Sequence, residues 1–569
     1  MRAQFGALPV ELQGKIVSSC DQLTLYNLNL VDKECNRLAT PVLYSNVRLA
    51  SVKVPGRALP GARSLKPFTW TMLQTPHLAR LVKTITFRHE WATGPPTSID
   101  GPGSGLDPWP YHSQRNDILL EKVTPLVRTR REKSEWLDKL IAGHEEAIVA
   151  LLLPYLVRLR TLDLRPNFGG PCPTLERLFV TAGQTKHTLD GHPILSTITN
   201  VMVSGYDGKY PTPTRFFFYA IQLPGLESLF SHRLGDSELA EHHNIVNDIP
   251  SRSLSVQNIE LRCAKMDHQD LAGILASCKC LKTFIYEVGN TWAWIDMRTE
   301  QVRQALASQE KNLENLCLST EEFGGFNMYS DSADPISFSG FINVTHLKIA
   351  PVYVFGPRAI PESFKDARDQ PSEQPDSDEQ HKIRKAFIGT LPPNLKRLHF
   401  TRSRLLFEKD HFFPAFEELF VHHDSLKAVP SLSLVTFEGD FIGKTRLCRR
   451  AARVGSMVIS RGIEVEYIQS REGTHETMHI DRGFGMSEKI MFERNTHNTI
   501  AEVLSIGPTT RSVNDELEEW ARMKLWTKDY KTGKMVRKDQ DSGDEENGNK
   551  VVTRKQLASQ IAHATATDQ

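Results

Sequence analysis

The feature that most constrains this 569-residue chain is a six-residue pattern, apolar-x-x-apolar-x-apolar, which recurs along most of its length. Five matches begin at residues 226, 256, 281, 313 and 344, which are 30, 25, 32 and 31 residues apart. This spacing predicts a stack of strand-plus-helix units, because each unit is too small to hide its apolar face unless its neighbours cover it. The nine matches are Leu159–Leu164, Leu175–Val180, Leu226–Ser231, Val256–Leu261, Leu281–Tyr286, Leu313–Leu318, Val344–Ile349, Leu395–Phe400 and Phe416–Val421, of which Leu226–Ser231 fits only its first two apolar positions.

The spacing resembles that of irregular leucine-rich repeats, in which helices such as the one predicted for residues 268–280 connect successive strands. The polar residue expected three positions after the last leucine is Asn167 in the first unit. Elsewhere it is Gly183, Glu321 or Ser403, so we expect no continuous asparagine ladder and an uneven solenoid.

A compact leucine-rich segment, residues 8–49, precedes the repeats. It predicts a first helix after its Leu-Pro pair, a second helix capped by Thr24, and a third helix from Val31 to Ala39 that Pro41 ends. The residues that follow alternate like a short strand. Three short helices bury only one side each, so the remaining apolar side chains imply a partner surface.

The order Leu-Pro, leucine-rich helix, Val-x-Lys, Leu-Ala, Pro-x-Leu-Tyr in this segment resembles an F-box. In that family the three helices dock onto the Skp adaptor of an SCF (Skp–cullin–F-box) ubiquitin ligase. Cys35 stands where many F-boxes have Trp, which removes a large aromatic anchor. The alternative is a three-helix cap for the domain that follows. The adaptor-binding residues that the resemblance implies are Leu8, Pro9, Leu12, Ile16, Leu25, Leu28, Val31, Lys33, Leu38, Pro41, Leu43 and Tyr44.

We therefore expect an α/β fold, with an N-terminal three-helix F-box followed by an irregular leucine-rich-repeat solenoid of strand-plus-helix units. Residues 132–156 have helical spacing and are expected to cap the exposed end of the array. The predicted domains are an F-box (1–50), a linker with a Gly/Pro-rich loop (51–116), a repeat array (117–455) with a disordered insertion (361–380), a C-terminal cap region (456–527) and a flexible charged tail (528–569).

Composition argues against several other classes of protein. The net charge of +1 does not indicate the basic face that nucleic-acid-binding proteins usually need. The longest apolar run, Ala147–Val157, is far shorter than the roughly 20 residues that span a bilayer, and no signal peptide is evident. Eight cysteines without paired spacing indicate reduced thiols. We expect no nucleic-acid or membrane partner, no cofactor, and a cytoplasmic or nuclear location.

Two motifs resemble enzyme signatures. His475–His479 matches the zinc-protease pattern H-E-x-x-H, but Gly473 before it and a Gly-rich stretch after it disfavour the helix that would place both imidazoles on one face. We expect two solvated histidines there. Gly439–Thr445 resembles a phosphate-binding loop, but it has three residues between its glycines where the motif needs four. We expect no catalytic residue and no metal site.

The side chain before the last apolar position of each unit should lie on the concave face of the solenoid. These residues form either a hydrophobic partner site with charged edges or a row covered by irregular loops. The candidate substrate-binding residues are Asp163, Phe179, Phe230, Glu260, Ile285, Lys348, His399 and Phe420, with Cys317 at the same position of its unit.

The resemblance implies a substrate-recognition subunit of an SCF E3 ubiquitin ligase, without chemistry of its own. Its F-box would bind a Skp-family adaptor and, through it, the cullin scaffold, while the repeats bind an unidentified protein substrate. A ligase-independent F-box scaffold is the first alternative. A zinc hydrolase that uses His475 and His479 is the second.

Overall fold

The chain comprises two compact units, residues 1–506 and 507–569. In the second unit, Trp526–Lys528 and Met535–Arg537 form an antiparallel strand pair. The computed structural model describes residues 5, 8–50, 53–54, 57–58, 62–88, 113–164, 172–183, 188–189, 191–204, 212, 214–235, 248–289, 299–320, 336–355, 387, 389–401, 427–439, 454–455, 457–469, 526–528 and 535–537.

Three helices open the chain: α1 Val10–Ser18, α2 Gln22–Asn29 and α3 Lys33–Ser45. The prediction that Thr24 caps the second helix is wrong. The Asp21 carboxylate accepts a hydrogen bond from the Thr24 backbone N–H (2.7 Å), and Asp32 caps α3 through the Cys35 N–H (2.7 Å). Hydrogen bonds from these backbone N–H groups lower the pKa of both aspartates.

Pro41 lies inside α3 and does not end it, contrary to the sequence-based expectation. Proline at this position removes the N–H that would bond to the carbonyl of Arg37, a substantial local cost. Tertiary packing offsets this cost, because Leu38, Val42 and Leu43 on α3 pack against a buried cluster shared with α1 and α2. The helix therefore continues to Ser45 and leads directly into the first strand.

One sheet of twelve parallel strands runs through the first unit, and each strand lies beside the next one in chain order. Parallel neighbours joined by right-handed crossovers place their connecting segments on one face, here called the helix face; the opposite face is called the distal face. The described strands of the first unit are β1 Asn46–Ala50, β2 Lys53–Val54, β3 Arg57–Ala58, β4 Thr84–Arg88, β5 Thr161–Leu164, β6 Thr188–Leu189, β7 His192–Pro193, β8 Asn200–Ser204, β9 Ser228–His232, β10 Asn258–Ala264, β11 Thr283–Val288, β12 Asn315–Thr320, β13 His346–Ile349, β14 Arg397–Phe400, β15 Leu434–Gly439 and β16 Glu464–Gln469. All but β2, β3, β6 and β7, which form two short hairpins, belong to the sheet.

The connecting helices are α4 Ala62–Gln74, α5 Pro76–Ala79, α6 Ser113–Val123, α7 Arg130–Ile141, α8 Glu145–Leu152, α9 Pro173–Gly183, α10 Thr214–Ala220, α11 His268–Ser277, α12 Thr299–Leu306 and α13 Pro351–Phe355, with 3-10 turns at Thr124–Leu126, Leu153–Tyr155 and Ala307–Gln309. The helical prediction for residues 132–156 is confirmed by α7 and α8. Its role as an end cap is not: every residue of α8 is buried, and α8 packs against both α4 and α9.

Buried polar contacts tie these helices together. Glu146 on α8 accepts hydrogen bonds from Lys139 Nζ (2.9 Å), Thr174 Oγ1 (2.8 Å) and the Leu175 N–H (3.1 Å). Glu176 on α9 lies 3.2 Å from the Arg215 guanidinium of α10. Burial raises the pKa of Glu176, although the nearby Arg215 opposes the shift.

The N-terminal ends of neighbouring strands are joined by a series of hydrogen bonds between backbone and side-chain groups. The Lys83 carbonyl accepts from the N–H groups of Arg160 (2.8 Å) and Thr161 (3.0 Å), and the same pattern repeats at later strands. Asparagine amides at the first position of a strand donate to a hydroxyl on the preceding strand. The pairs are Asn200–Thr161, Asn258–Ser228 and Asn315–Thr283. Asn167, where the sequence suggested a polar rung, lies outside the described residues.

Seven of the nine predicted units contain a strand of the sheet. Leu175–Val180 is the exception, since it lies within α9, and Phe416–Val421 lies outside the described residues. Four strands of the sheet were not predicted: β4, β8, β15 and β16. Three of these fit the same six-residue pattern, at Val82–Phe87, Ile198–Val203 and Leu432–Phe437.

The sheet extends beyond the expected repeat array 117–455 at both ends. The sheet begins with β1, inside the expected F-box, and continues with β4, inside the expected linker 51–116. It extends to β16, inside the expected C-terminal cap region 456–527. The tail predicted for 528–569 includes the described strand Met535–Arg537. The expected insertion 361–380 lies outside the described residues.

Candidate functional site

The three N-terminal helices have a small core of their own, made by Val17, Leu25 and Ala39. Four of the twelve predicted adaptor-binding residues belong to this core or pack against it. They are Leu25, Leu28, Leu38 and Leu43. Cys35 is also buried, and burial raises the pKa of its thiol.

The other predicted adaptor-binding residues lie at the surface of this three-helix unit. Leu8 and Tyr44 are half-buried, and six residues are exposed: Pro9, Leu12, Ile16, Val31, Lys33 and Pro41. Val10 on α1 and three apolar residues of α2 and its C-terminal cap were not among the predicted adaptor-binding residues. The signal was present, because Leu23, Tyr26 and Leu30 follow the i, i+3, i+7 spacing of one helix face.

Exposed large apolar side chains are concentrated in the three N-terminal helices and the turns between them. Eleven such side chains occur among the described residues, and seven of them fall between residues 10 and 31. Their exposed fractions range from 44% to 69%. Single exposed apolar residues are ordinary, but a concentration in one small unit is typical of a protein-interaction surface. This exposed apolar set comprises Val10, Leu12, Ile16, Leu23, Tyr26, Leu30 and Val31.

A second candidate surface is a row of side chains in equal register across the whole sheet, here called the central row. Seven predicted residues share it: Asp163, Phe230, Glu260, Ile285, Cys317, Lys348 and His399. Their alternation with buried apolar neighbours places them on the distal face. Four further side chains of the row were not predicted: Arg48, Thr86, Met202 and Thr436. Glu466 follows Thr436 in backbone register.

The apolar residues predicted for this row are buried where the structure describes them. Phe179 is in α9, fully buried on the helix face, with its ring 5.3 Å from that of Phe216. Phe230 and Ile285 are on the row but are only 4% and 3% exposed. Phe420 lies outside the described residues. Ile285 and Cys317 form a buried apolar pair that is separate from the large core.

Two charged clusters flank this apolar pair. In the first, Arg262 Nε donates to Glu260 Oε1 (2.5 Å) and Arg262 Nη1 donates to Glu287 Oε2 (3.1 Å). Burial alone would lower the pKa of Arg262, but the two carboxylates outweigh it and raise that pKa. The Cys263 thiol donates to Glu287 Oε1 (3.4 Å). This group is called the carboxylate cluster.

The second cluster joins three neighbouring strands on the other side of the apolar pair. Glu438 Oε2 lies 3.4 Å from Lys348 Nζ and 3.1 Å from His399 Nε2. The Glu438 carboxylate therefore pairs with two basic side chains.

A bulge in β10 shapes the carboxylate cluster. The register between β10 and β11 shifts between Leu261 and Ala264, so Arg262 and Cys263 together face Glu287. Cys263 adopts a left-handed backbone conformation with φ of 49°, as Arg233 does at the end of β9 with φ of 60°. Such conformations are unfavourable for residues with a side chain, and the paired sheet holds them in place.

The structure does not test the two enzyme-like motifs. His475, His479 and residues 440–445 lie outside the described residues. Across the part of the chain that is described, no group of three or more His, Cys, Asp or Glu side chains could hold a metal ion. Within the same residues, every helix is too short or too polar to cross a membrane.

Comparisons with known proteins found little. No family model matches the chain, and no curated protein matches it. Among solved structures, the crystal structure of the yeast Rad7 and Elc1 complex is similar at a TM-score of 0.28 and 12% sequence identity. The match covers 73% of this chain and 91% of that chain. A TM-score of this size does not establish a common fold.

Proposed function

We propose that this protein is the substrate-recognition subunit of an SCF-type E3 ubiquitin ligase. The observation that carries the proposal is the exposed apolar set, which lies in a three-helix segment whose sequence resembles an F-box. A cap for the repeats would bury these side chains against the sheet, whereas a docking module presents them to a partner. The partner proposed is a Skp-family adaptor, which links the chain to a cullin.

The connection between the two parts of the molecule supports this role. α3 ends at Ser45, β1 begins at Asn46, and the Ser45 carbonyl accepts a hydrogen bond from the Lys83 N–H (3.0 Å) at the entrance to β4. No linker separates the docking helices from the sheet. An adaptor bound to the helices would therefore hold the repeats, and any protein on them, at a defined position relative to the ligase.

The protein would supply no chemistry of its own in such a complex. It would hold its substrate near the ubiquitin-loaded enzyme and act through effective concentration. We place this activity in the cytoplasm or nucleus, in agreement with the scattered, unpaired cysteines.

Capture of the adaptor by the purified chain tests the proposal. Replacing Leu8 and Pro9 with alanine should abolish co-purification of a Skp-family adaptor and cullin, since both residues precede α1 at the surface of the unit. Replacing exposed Leu120, which lies on α6 outside the unit, is the control. Full adaptor binding by the Leu8→Ala/Pro9→Ala variant would refute the assignment.

A further inference from the structure

Four basic residues lie near one another at the N-terminal ends of β4 and β5. Lys83 and Arg160 come directly before these strands, and the Arg160 N–H donates to the Lys83 carbonyl (2.8 Å). Arg158 lies in the turn before β5, and Arg80 is the C-cap residue of α5. All four are exposed, and we call them the basic patch.

The basic patch adjoins the three N-terminal helices. The Lys83 N–H donates to the carbonyl of Ser45 (3.0 Å), which is the last residue of α3, and α5 contacts α3. Val157, next to Arg158, is 38% exposed and is one of four exposed large apolar side chains that the structure describes outside residues 10–31. A partner that covers the helices and extends past the end of α3 would therefore meet basic and apolar groups together.

The positive charge of the basic patch is not neutralised by ion pairs within the described residues. The ion pairs of the neighbouring helices use other cations, such as Lys122 and Lys139. The next two strands bring one acidic residue to the same end of the sheet, since Thr199 precedes β8 and Glu227 precedes β9. Like charges in a small area repel one another, and an acidic partner would remove this repulsion.

The three N-terminal helices do not provide such a charge themselves. Between residues 10 and 45, four acidic side chains are set against three basic ones. These are Glu11, Asp21, Asp32 and Glu34, against Lys15, Lys33 and Arg37. Of the three cations, Arg37 already pairs with Glu34. The helices therefore offer an apolar contact, and the basic patch adds a charged contact at its edge.

The size of the basic patch favours a protein segment over a nucleic acid. Its two strands lie about 4.8 Å apart, and the row that continues from Lys83 and Arg160 reaches an acidic residue at Glu227. A bound duplex carries closely spaced phosphates along its whole length and needs a longer basic stripe. The chain as a whole has a net charge of only +1.

We infer that the basic patch binds an acidic segment of the adaptor that docks on α1–α3. Carboxylates of this segment pair with Lys83, Arg158 and Arg160, outside the helices that resemble an F-box. Charges at the rim of an interface mainly speed association and make it dependent on salt, while the apolar contacts set its lifetime. This inference rests on the proposed function, because it adds a second contact region for the same partner.

Association kinetics of the full-length protein with a purified Skp-family adaptor test the inference. Biolayer interferometry measures the association and dissociation rates at about 0.05 M and about 0.5 M NaCl, between which the Debye length falls roughly threefold. The association rate of the native protein should fall by at least about tenfold over this range, because salt screens the attraction between the basic patch and the acidic segment.

Three double variants assign this effect to the basic patch. Arg158→Glu/Arg160→Glu should slow association at low salt by at least about tenfold and change dissociation by less than about threefold. Arg158→Lys/Arg160→Lys keeps the charge and should keep the native association rate within about twofold. Lys396→Glu/Arg397→Glu makes the same charge change at exposed residues seven strands from β5, about 34 Å away, and should slow association by less than about threefold.

An association rate of the native protein that does not depend on salt would overturn the inference without the use of any variant. It would also be overturned if reversing Arg158 and Arg160 had no larger effect than reversing Lys396 and Arg397, with thermal melts showing that both variants are folded. A third contrary result is a variant that loses binding to a DNA duplex of about 20 base pairs but associates normally with the adaptor, since the patch would then be a nucleic-acid surface.

The same measurements separate this inference from the proposed function. Adaptor binding that needs Leu8 and Pro9, but depends on neither salt nor the basic patch, would keep the function and refute the inference. A native protein that binds no adaptor at either salt concentration would refute both.

Discussion

Replacing leucines of α2 and its C-terminal cap with alanine separates docking from folding, because this segment carries the same residue type in two environments. Leu23 and Leu30 are each 69% exposed, whereas Leu25 is 3% exposed and belongs to the small core. Leu23→Ala/Leu30→Ala should weaken adaptor binding with little effect on stability. Leu25→Ala should destabilise the three-helix unit.

The magnitudes follow from the apolar groups removed. Each exposed leucine loses three carbons, worth about 0.8 kcal/mol each when a partner buries them. At their present exposure the two sites together supply about 3 kcal/mol, which corresponds to a loss of affinity on the order of 100-fold. The stability change from exposed sites should stay within about 0.5 kcal/mol each, against roughly 2–5 kcal/mol for the core Leu25→Ala.

Isothermal titration calorimetry with purified adaptor measures the affinity. Amide hydrogen exchange over residues 10–45 measures the local stability, which a melt of the whole chain would not resolve. Native-like adaptor affinity of Leu23→Ala/Leu30→Ala would refute the docking role of α2. A loss of exchange protection as large as that of Leu25→Ala would show that these leucines pack within the molecule.

Three further outcomes are expected. Phe179→Ser should reduce the free energy of unfolding by about 3–5 kcal/mol without affecting adaptor capture, and a melt shifted only slightly would contradict its core position in α9. Because burial raises the pKa of Glu176 above its ordinary 4.5, the folded chain keeps a proton that the unfolded chain has lost, so stability should fall as pH rises from 4.5 through the raised pKa. Glu176→Gln should reduce this pH dependence of the free energy of unfolding, measured by urea denaturation at several pH values. An unchanged pH dependence would show that Glu176 is not its source. The protein should purify without stoichiometric zinc and be unaffected by His475→Ala, whereas elemental analysis showing one tightly held zinc per chain would favour the hydrolase alternative.

The helix α9 shows the limit of short sequence patterns. Leu175, Leu178 and Val180 match the strand template, yet the buried residues are Leu175, Leu178, Phe179 and Ala182, which follow helical spacing. A six-residue apolar window fits both periods, and a longer window resolves them. The six-residue template, applied to the whole chain, recovers β4, β8 and β15, whose apolar residues fit it.

The sequence by itself determined where most strands lie and which of their residues share a face, because side chains in a strand alternate with a period of two. Units such as Leu281–Tyr286 and Leu395–Phe400 specify this locally, and their strands pair in the expected register. It also determined the concentration of apolar residues in the opening segment. Local propensity and periodicity are sufficient for both.

Only the tertiary structure decided which of those apolar residues are available to a partner. Leu25 and Leu23 are two positions apart on one helix, and it is the packing of α3 against α1 and α2 that buries the first and exposes the second. The same packing carries α3 through Pro41, against local preference. The carboxylate cluster depends on contacts between β10 and β11, residues 25 positions apart, and no local pattern specifies them. Burial and charge pairing are properties of the assembled sheet, so they appear only when the strands meet.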